Sequence, residues 1–272
     1  MELLVDGRHA YAYTGGKAHD PALPSVVFLH GALNDHSVWT LLARWCAHHG
    51  LGVLAVDLPG HGRSAGPPLD SVEALGDWAV ALARAAGATR VAWIGHSMGS
   101  LIALEAAARA PELASRLVMM GTAYPMKVSE SLLATARDDP AKAIDLVNAY
   151  SHSTLAAKPS YPGPGAWLHG GSRALMRRMQ DGQPTRNLFH HDFGVCNAYR
   201  RGLEAARSVS CPASFVLGER DQMTAPAQAV ELAQALRAPV LMVPAGHDLM
   251  GEAPDAVLAA LRQTFRPPVP AA

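Results

Sequence analysis

Cysteine is scarce in this chain. The three present among 272 residues, Cys46, Cys196 and Cys211, stand too far apart for a metal-binding spacing or a disulfide framework. They fit buried, reduced thiols in a cytosolic protein. Neither sign of charge is in excess: Lys+Arg and Asp+Glu each number 23, so no net field draws the chain to nucleic acid or an anionic membrane. Long apolar runs are missing too, and none reaches the roughly 18 residues of a membrane span. Met1 to Gly7 lacks the basic start and apolar core of a secretory signal. The pairs His48-His49 and His190-His191 lack ligand spacing, because adjacent side chains diverge on a helix. The expectation is a cytoplasmic protein with no metal or other cofactor, no nucleic-acid partner and no membrane partner.

What the chain does have is apolar material in alternating runs. At 49% hydrophobic and 272 residues it can bury a full core, as one large domain or one domain with an insertion. Leu3 to Tyr13 carries an Asp6-Gly7 hairpin signal. Buried strands are predicted at Ser25–Leu29, Val53–Val56, Arg90–Ile94, Arg116–Met120, Ala213–Leu217 and Val240–Val243. Helices are predicted between them at Asp35–His48, Ser71–Ala86, Leu101–Ala110 and Ala225–Leu236, with a last one at Pro254–Phe265. This alternation predicts an α/β fold, a doubly wound and mostly parallel sheet covered on both faces. Residues 123–208 break the rhythm. Helical pieces at Ser129–Arg137, Ala141–Tyr150 and Ser172–Met179 are separated by Pro/Gly-rich turns, notably Lys158 to Gly165. Because it carries Trp167, Leu188, Phe189 and Phe193, the block reads as an insertion with its own apolar contacts. The core is then 1–122 and 209–272, and 123–208 is a helical cap.

The stretch Gly95-His96-Ser97-Met98-Gly99 sits between a buried strand and a helix. A serine on so sharp a turn is pushed outward at the top of the sheet. The helix start offers unpaired N–H groups and partial positive charge where an oxyanion would form. Ser97 is the candidate nucleophile. Asp221 and His247 each follow a predicted parallel strand in the same way, at the edge where open α/β sheets bind ligands. A serine hydroxyl needs a base, histidine titrates near neutrality, and a carboxylate fixes the imidazole tautomer. Glu219 competes with Asp221 for the acid, and Asp248 is less suited because it adjoins His247 in sequence. After His30-Gly31, the Ala32 N–H is a candidate oxyanion donor. Asp57, His61, Arg63 and Ser64 read as a loop held by its own polar side chains.

These stretches resemble the α/β-hydrolase family: His30-Gly31 with Trp39 downstream, Asp57 to Ser64, Gly95 to Gly99, Gly218 to Asp221, and Gly246-His247 with Glu252-Ala253-Pro254. The resemblance implies an eight-stranded sheet with the cap inserted after the sixth strand. It also implies an oxyanion hole from the N–H groups of Met98 and Ala32, with His30 and the Asp57–Ser64 loop as supports. Haloalkane dehalogenases and epoxide hydrolases use an aspartate where Ser97 stands. Carbon–carbon bond hydrolases typically carry Trp after the histidine and Asn before the serine, positions held here by Asp248 and His96. The expectation is therefore a serine hydrolase that cleaves a small carboxylic ester or thioester. The alternatives are an acyltransferase or perhydrolase on the same triad, or a receptor with little turnover. Leu33, His96, Trp167, Phe189 and Phe193 are the expected pocket residues. Tyr161 and Tyr199 are further candidates, and Arg186, His190 and His191 are candidates for meeting a polar substrate.

Overall fold

The computed structural model describes residues 1–153, 167–183 and 186–265. Among these, eight strands form one sheet: β1 (Glu2–Val5), β2 (Arg8–Tyr13), β3 (Ser25–Leu29), β4 (Gly52–Val56), β5 (Val91–His96), β6 (Ala114–Met120), β7 (Ala213–Gly218) and β8 (Val240–Val243). Their spatial order is β1-β2-β4-β3-β5-β6-β7-β8. Strand β2 pairs antiparallel with both β1 and β4, and the ladders from β4 to β8 are parallel.

Parallel strands need crossovers, and the crossovers here are helices that bury both faces of the sheet. Every residue of β3, β4 and β5 is accordingly buried. Alternate residues of β3 face opposite layers. Val26 and Phe28 pack with Trp39 and with Leu42 of α1 (Thr40–Ala47), and with Val257 of α11 (Pro254–Phe265). Val27 and Leu29 pack with Trp78 of α2 (Val72–Ala85) and Ile102 of α3 (Met98–Arg109). Helix α2 begins where Ser71 accepts the Ala74 N–H at 3.1 Å, a side-chain N-cap.

Among the described residues, five helices lie between β6 and β7: α4 (Glu130–Asp138), α5 (Pro140–Ser151), α6 (Leu168–Asp181), α7 (Leu188–Ala198) and α8 (Gly202–Ser208). Helices α4 to α7 share an apolar cluster of their own, including Ala136, Ile144, Met176 and Phe189. Helix α8 packs on α3, and its Ala205 and Ala206 belong to the main core. After β7, α9 (Val230–Ala235) falls within the predicted Ala225–Leu236 helix, whereas α7, α8 and the single turn α10 (Leu249–Glu252) lie where the sequence pattern predicts no helix.

Register decides what meets at the carboxyl edge. Leu29 pairs with Gly95, His96 with Met120, and Gly218 with Val243. The residues following β3, β5, β7 and β8 therefore emerge along one edge of the sheet, with β6 between β5 and β7. The chain crosses from β4 back over β3 to β5, so the direction of winding reverses between β3 and β5, where open α/β sheets form their binding crevice.

Candidate active site

Ser97 sits at the turn from β5 into α3 with φ +53° and ψ −122°, a backbone region that L-residues avoid. Such a conformation costs about 1–3 kcal/mol and persists only where the surroundings impose it. The surroundings are explicit. The Ser97 N–H donates to the Met120 carbonyl at 2.9 Å, and Ser100 Oγ bonds the Ser97 carbonyl and Thr122 Oγ1. A Cβ on Gly95 would overlap the Gly99 carbonyl, and one on Gly99 would overlap the Leu29 and His30 carbonyls. Only glycines allow β3, β5 and α3 to approach this closely.

His247 follows β8, and its Nδ1 meets Asp221 Oδ2 at 2.8 Å. Asp221 is buried and accepts the N–H groups of Met223 and Thr224 on Oδ1, both at 2.8 Å. Thr224 Oγ1 reaches Asp221 Oδ2 at 2.8 Å and stands 3.1 Å from His247 Nδ1. Burial alone would raise the Asp221 carboxyl. The charge of His247, with these hydrogen bonds, outweighs it and holds the group below the usual carboxylate range. Asp221 therefore stays ionised, and an ionised acceptor on Nδ1 leaves His247 Nε2 as the nitrogen available to a substrate. Glu219 is exposed. Asp248 points elsewhere, 3.4 Å from His152 Nε2. Thr224 gave no signal in the sequence reading beyond standing three residues after the acid.

His96 packs its ring 4.7 Å from that of His247 and approaches the His247 carbonyl with Nε2 at 2.9 Å. Burial, reinforced by the charge of His247, pushes its pKa down to about 4. His96 is thus a neutral donor that fixes the backbone of the His247 loop.

Ser97, His96 and His247 line one cavity of about 1030 Å³. Gly31 and Ala32 form part of its floor. Met126, Leu132, Val147, Met176 and Phe193 supply apolar wall from the inserted segment, and Trp167 contributes at 55% exposure. Other expected pocket residues lie elsewhere. Leu33 and Phe189 are wholly buried in the α4–α7 cluster and do not reach the cavity. Leu33 has φ +54°, and its side chain packs with the inserted helices. Phe189 stacks on Phe193 at 4.6 Å, one helical turn behind it. Tyr199 is buried against α3 with its hydroxyl on Glu105 at 2.8 Å. Arg186 and His191 bind Asp70, at 2.7 and 3.1 Å, and His190 is also outside the lining. Tyr161 and the Lys158–Gly165 turn fall outside the described residues.

The Asp57–Ser64 loop is held partly by its own polar groups and partly from outside it, by His36 on Asp57 Oδ1 at 2.7 Å and by Asp192 on His61 at 2.9 Å. Ser64 Oγ donates to the Asp57 carbonyl at 2.6 Å, and Asp57 Oδ2 accepts the Arg63 N–H at 2.8 Å. One group of potential metal ligands occurs among the described residues: Asp35, His36 and Asp57. Their carboxylates already accept the N–H groups of His36, Ser37 and Arg63, and Arg178 places its guanidinium 2.8 Å from Asp35.

The strand order and the strained serine turn define the class of this molecule, an open α/β sheet of the hydrolase type. A family model described as the alpha/beta hydrolase family matches residues 26–260, and the chain belongs to that family. It is 37% identical over 106 residues to a pimeloyl-[acyl-carrier protein] methyl ester esterase of Methylococcus capsulatus, covering 36% of this chain and 37% of that protein. It is 41% identical over 106 residues to an esterase of Mycobacterium tuberculosis, covering 36% of this chain and 32% of the other. The matched stretches thus span about a third of these relatives. An esterase structure from Exiguobacterium antarcticum superposes with a TM-score of 0.80 at 15% identity, over 97% of this chain and 98% of that one, a likeness of fold. No helix among the described residues is long and apolar enough to cross a membrane.

Proposed function

We propose that this protein hydrolyses a carboxylic ester or thioester through an acyl-enzyme on Ser97, with His247 as base and acid and Asp221 orienting it. The observation that carries the reading is the strained Ser97 turn opening into the same cavity as His247, whose Nδ1 is engaged by Asp221. His247 Nε2 takes the Ser97 proton as Oγ attacks the substrate carbonyl, and the N–H groups of Ala32 and Met98 receive the oxyanion. The imidazolium returns the proton to the leaving alcohol or thiol as the carbonyl re-forms. Water, deprotonated by His247, then releases the acid and restores Ser97. The relatives named as esterases favour the same chemistry.

Helices α4 to α7 act as the cap in this reading, and the cavity beneath them sets substrate size. A volume of about 1030 Å³ is at the upper end for a drug-sized ligand and far exceeds an acetyl group. An acyl chain of medium length or a bulky alcohol is the substrate class it fits.

A panel of p-nitrophenyl esters from acetyl to dodecanoyl tests the proposal, with alcohol or peroxide added to detect acyl transfer. Wild type turns over the medium-chain esters fastest, and a fluorophosphonate labels Ser97 alone. Ser97→Ala loses between about 10³- and 10⁶-fold in kcat while remaining folded. Full activity in Ser97→Ala refutes the mechanism, and product transfer to alcohol in preference to water replaces hydrolysis with acyl transfer.

A further inference from the structure

Asp192, on the inserted helix α7, makes contacts that the proposed reaction does not use directly. Its side chain is 2% exposed, and Oδ2 accepts the Leu33 N–H at 3.0 Å and His61 Nε2 at 2.9 Å. His61 Nδ1 faces the Pro59 carbonyl at 3.1 Å. A carboxylate and a carbonyl can only accept, so both ring nitrogens of His61 carry protons and the ring is an imidazolium. Asp192 and His61 are therefore a buried ion pair joining α7 to the loop after β4. Burial opposes both charges, but their mutual attraction holds His61 above and Asp192 below its ordinary value. Removing one partner from such a pair leaves an uncompensated charge.

The pair closes on the backbone that carries the Ala32 N–H. The peptide plane holding that N–H also holds the Gly31 carbonyl, which accepts His30 Nδ1–H at 2.8 Å and the Asn34 N–H at 3.3 Å. His30 is neutral, since its Nε2 accepts the Leu58 N–H at 3.0 Å, and its ring packs 5.0 Å from His61. The next peptide plane holds the Leu33 N–H, fixed by Asp192. Leu33 is kept at φ +54°, where a leucine does not stay unaided, and its side chain is buried among the α4–α7 helices. Both peptide planes around Ala32 are thus pinned, one by His30 from the core and one by Asp192 from the inserted segment.

We propose that Asp192 is a positioning residue for the reaction: it fixes the Gly31–Leu33 backbone from α7, so the oxyanion hole is complete only with that helix docked. The proposal rests on the reading of Ala32 as an oxyanion donor. Other contacts dock the same region without touching this backbone, among them Arg186 on Asp70 and Gln183 on the Gly60 carbonyl. They provide the control.

The test compares wild type, Asp192→Ala, Asp192→Asn and Arg186→Ala on a p-nitrophenyl ester. It also measures inhibition by an alkyl boronic acid, whose tetrahedral adduct on Ser97 puts an oxygen in the oxyanion hole. Misplacing one donor makes kcat fall about tenfold or more in Asp192→Ala. The boronate Ki rises by the same factor, and KM stays within about twofold of wild type. Asp192→Asn, which keeps a neutral acceptor for the Leu33 N–H, falls between the two with about threefold shifts in both constants. Arg186→Ala moves neither. If Asp192→Ala does not accumulate as folded protein, the paired shift in Asp192→Asn decides. Wild-type kcat and boronate Ki in the folded Asp192 variants overturn the proposal. So does a loss that only tracks the fraction of Ser97 titrated by fluorophosphonate. Failure of wild type to bind the boronate, or full activity in Ser97→Ala, would instead remove the underlying reading.

Discussion

Asp221 commits both carboxylate oxygens within one short turn, and His247 receives only part of that capacity. Oδ1 takes two backbone N–H groups and Oδ2 takes Thr224 Oγ1 and His247. Asp221→Asn keeps the shape but offers a donor where His247 Nδ1–H requires an acceptor. A loss on the order of 10⁴ in kcat at neutral pH is expected, as for the equivalent change in a serine protease triad, while Glu219→Gln stays near wild type. Steady-state kinetics on both variants checks the assignment of the acid. Thr224→Val removes one hydrogen bond to a charged group, worth about 1.5 kcal/mol, and lowers kcat/KM about tenfold. A value unchanged in Thr224→Val means that the Asp221 turn holds without the hydroxyl. Ser97, Asp221 and His247 are legible in sequence because each follows a buried strand in a short Gly-containing context. Thr224 is not, because its importance depends on a turn folding back on an acid. The only sequence trace is a hydroxyl residue three positions after an Asp, the spacing of local side-chain capping turns.

At the level of elements, α7 is the part of the fold that periodicity does not reveal. Leu188, Phe189, Asp192, Val195 and Cys196 are buried at one-face helical spacing, but that face has the charged Asp192 in its middle and Phe193 stands beside it, so the apolar contrast that marks an amphipathic helix is weak. Its one readable signal is Asn187, whose side chain caps the helix by accepting the His190 N–H. The two phenylalanines of α7 look equivalent in sequence and are not equivalent in place. Phe193 lines the cavity, whereas Phe189 lies behind it in the apolar cluster. Phe193→Ala should shift preference toward longer acyl chains, a change of about 1–3 kcal/mol in relative kcat/KM per methylene of fit. Phe189→Ala should leave the preference unchanged and cost about 3–5 kcal/mol of stability. Octanoyl-to-acetyl rate ratios and denaturant midpoints for both variants separate the two effects. A shifted ratio in Phe189→Ala would mean that the cluster yields into the cavity.

For the whole molecule, two buried neutral histidines set the acid limit. Burial, with the charges of His61 and His247 respectively, pushes His30 and His96 down to about 4. In the unfolded chain both take the ordinary value near 6.5. Between about pH 6.5 and 4 the unfolded state binds more protons than the folded one, so stability falls as pH drops through that window and levels off below it. The expected loss is on the order of a few kcal/mol. The ion pair of His61 and Asp192 behaves differently. His61 is raised, so its contribution is complete below about pH 6.5 and fades as pH rises through its folded value. Asp192 is lowered, so its contribution is complete above about pH 4 and is lost in stronger acid. Urea midpoints at pH 7 and pH 5 should show the acid loss, and His96→Gln should flatten it. An identical slope in His96→Gln would assign the proton uptake to other groups.

Much of the architecture is written into local pattern. Apolar runs of strand length separated by amphipathic helices dictate a parallel sheet with both faces covered, because each element must bury the face its own sequence makes apolar. The Ser97 turn is marked locally by two glycines at a strand-to-helix junction, although the folded sheet holds its strain through the Met120 carbonyl and the close Leu29–His30 backbone. What sequence could not decide are contacts between residues far apart in the chain. Leu33 and Asp192 are 159 positions apart, and His61 and Asp192 are 131 apart. Nothing within either segment distinguishes a buried, partnered Asp192 from a solvated one, because the difference lies in desolvation and in which acceptors and donors the folded sheet brings within 3 Å. The same holds for the choice between Phe189 and Phe193. Local sequence sets the rotation of each side chain about α7, but only the docking of α7 on its neighbours determines which side faces the cavity.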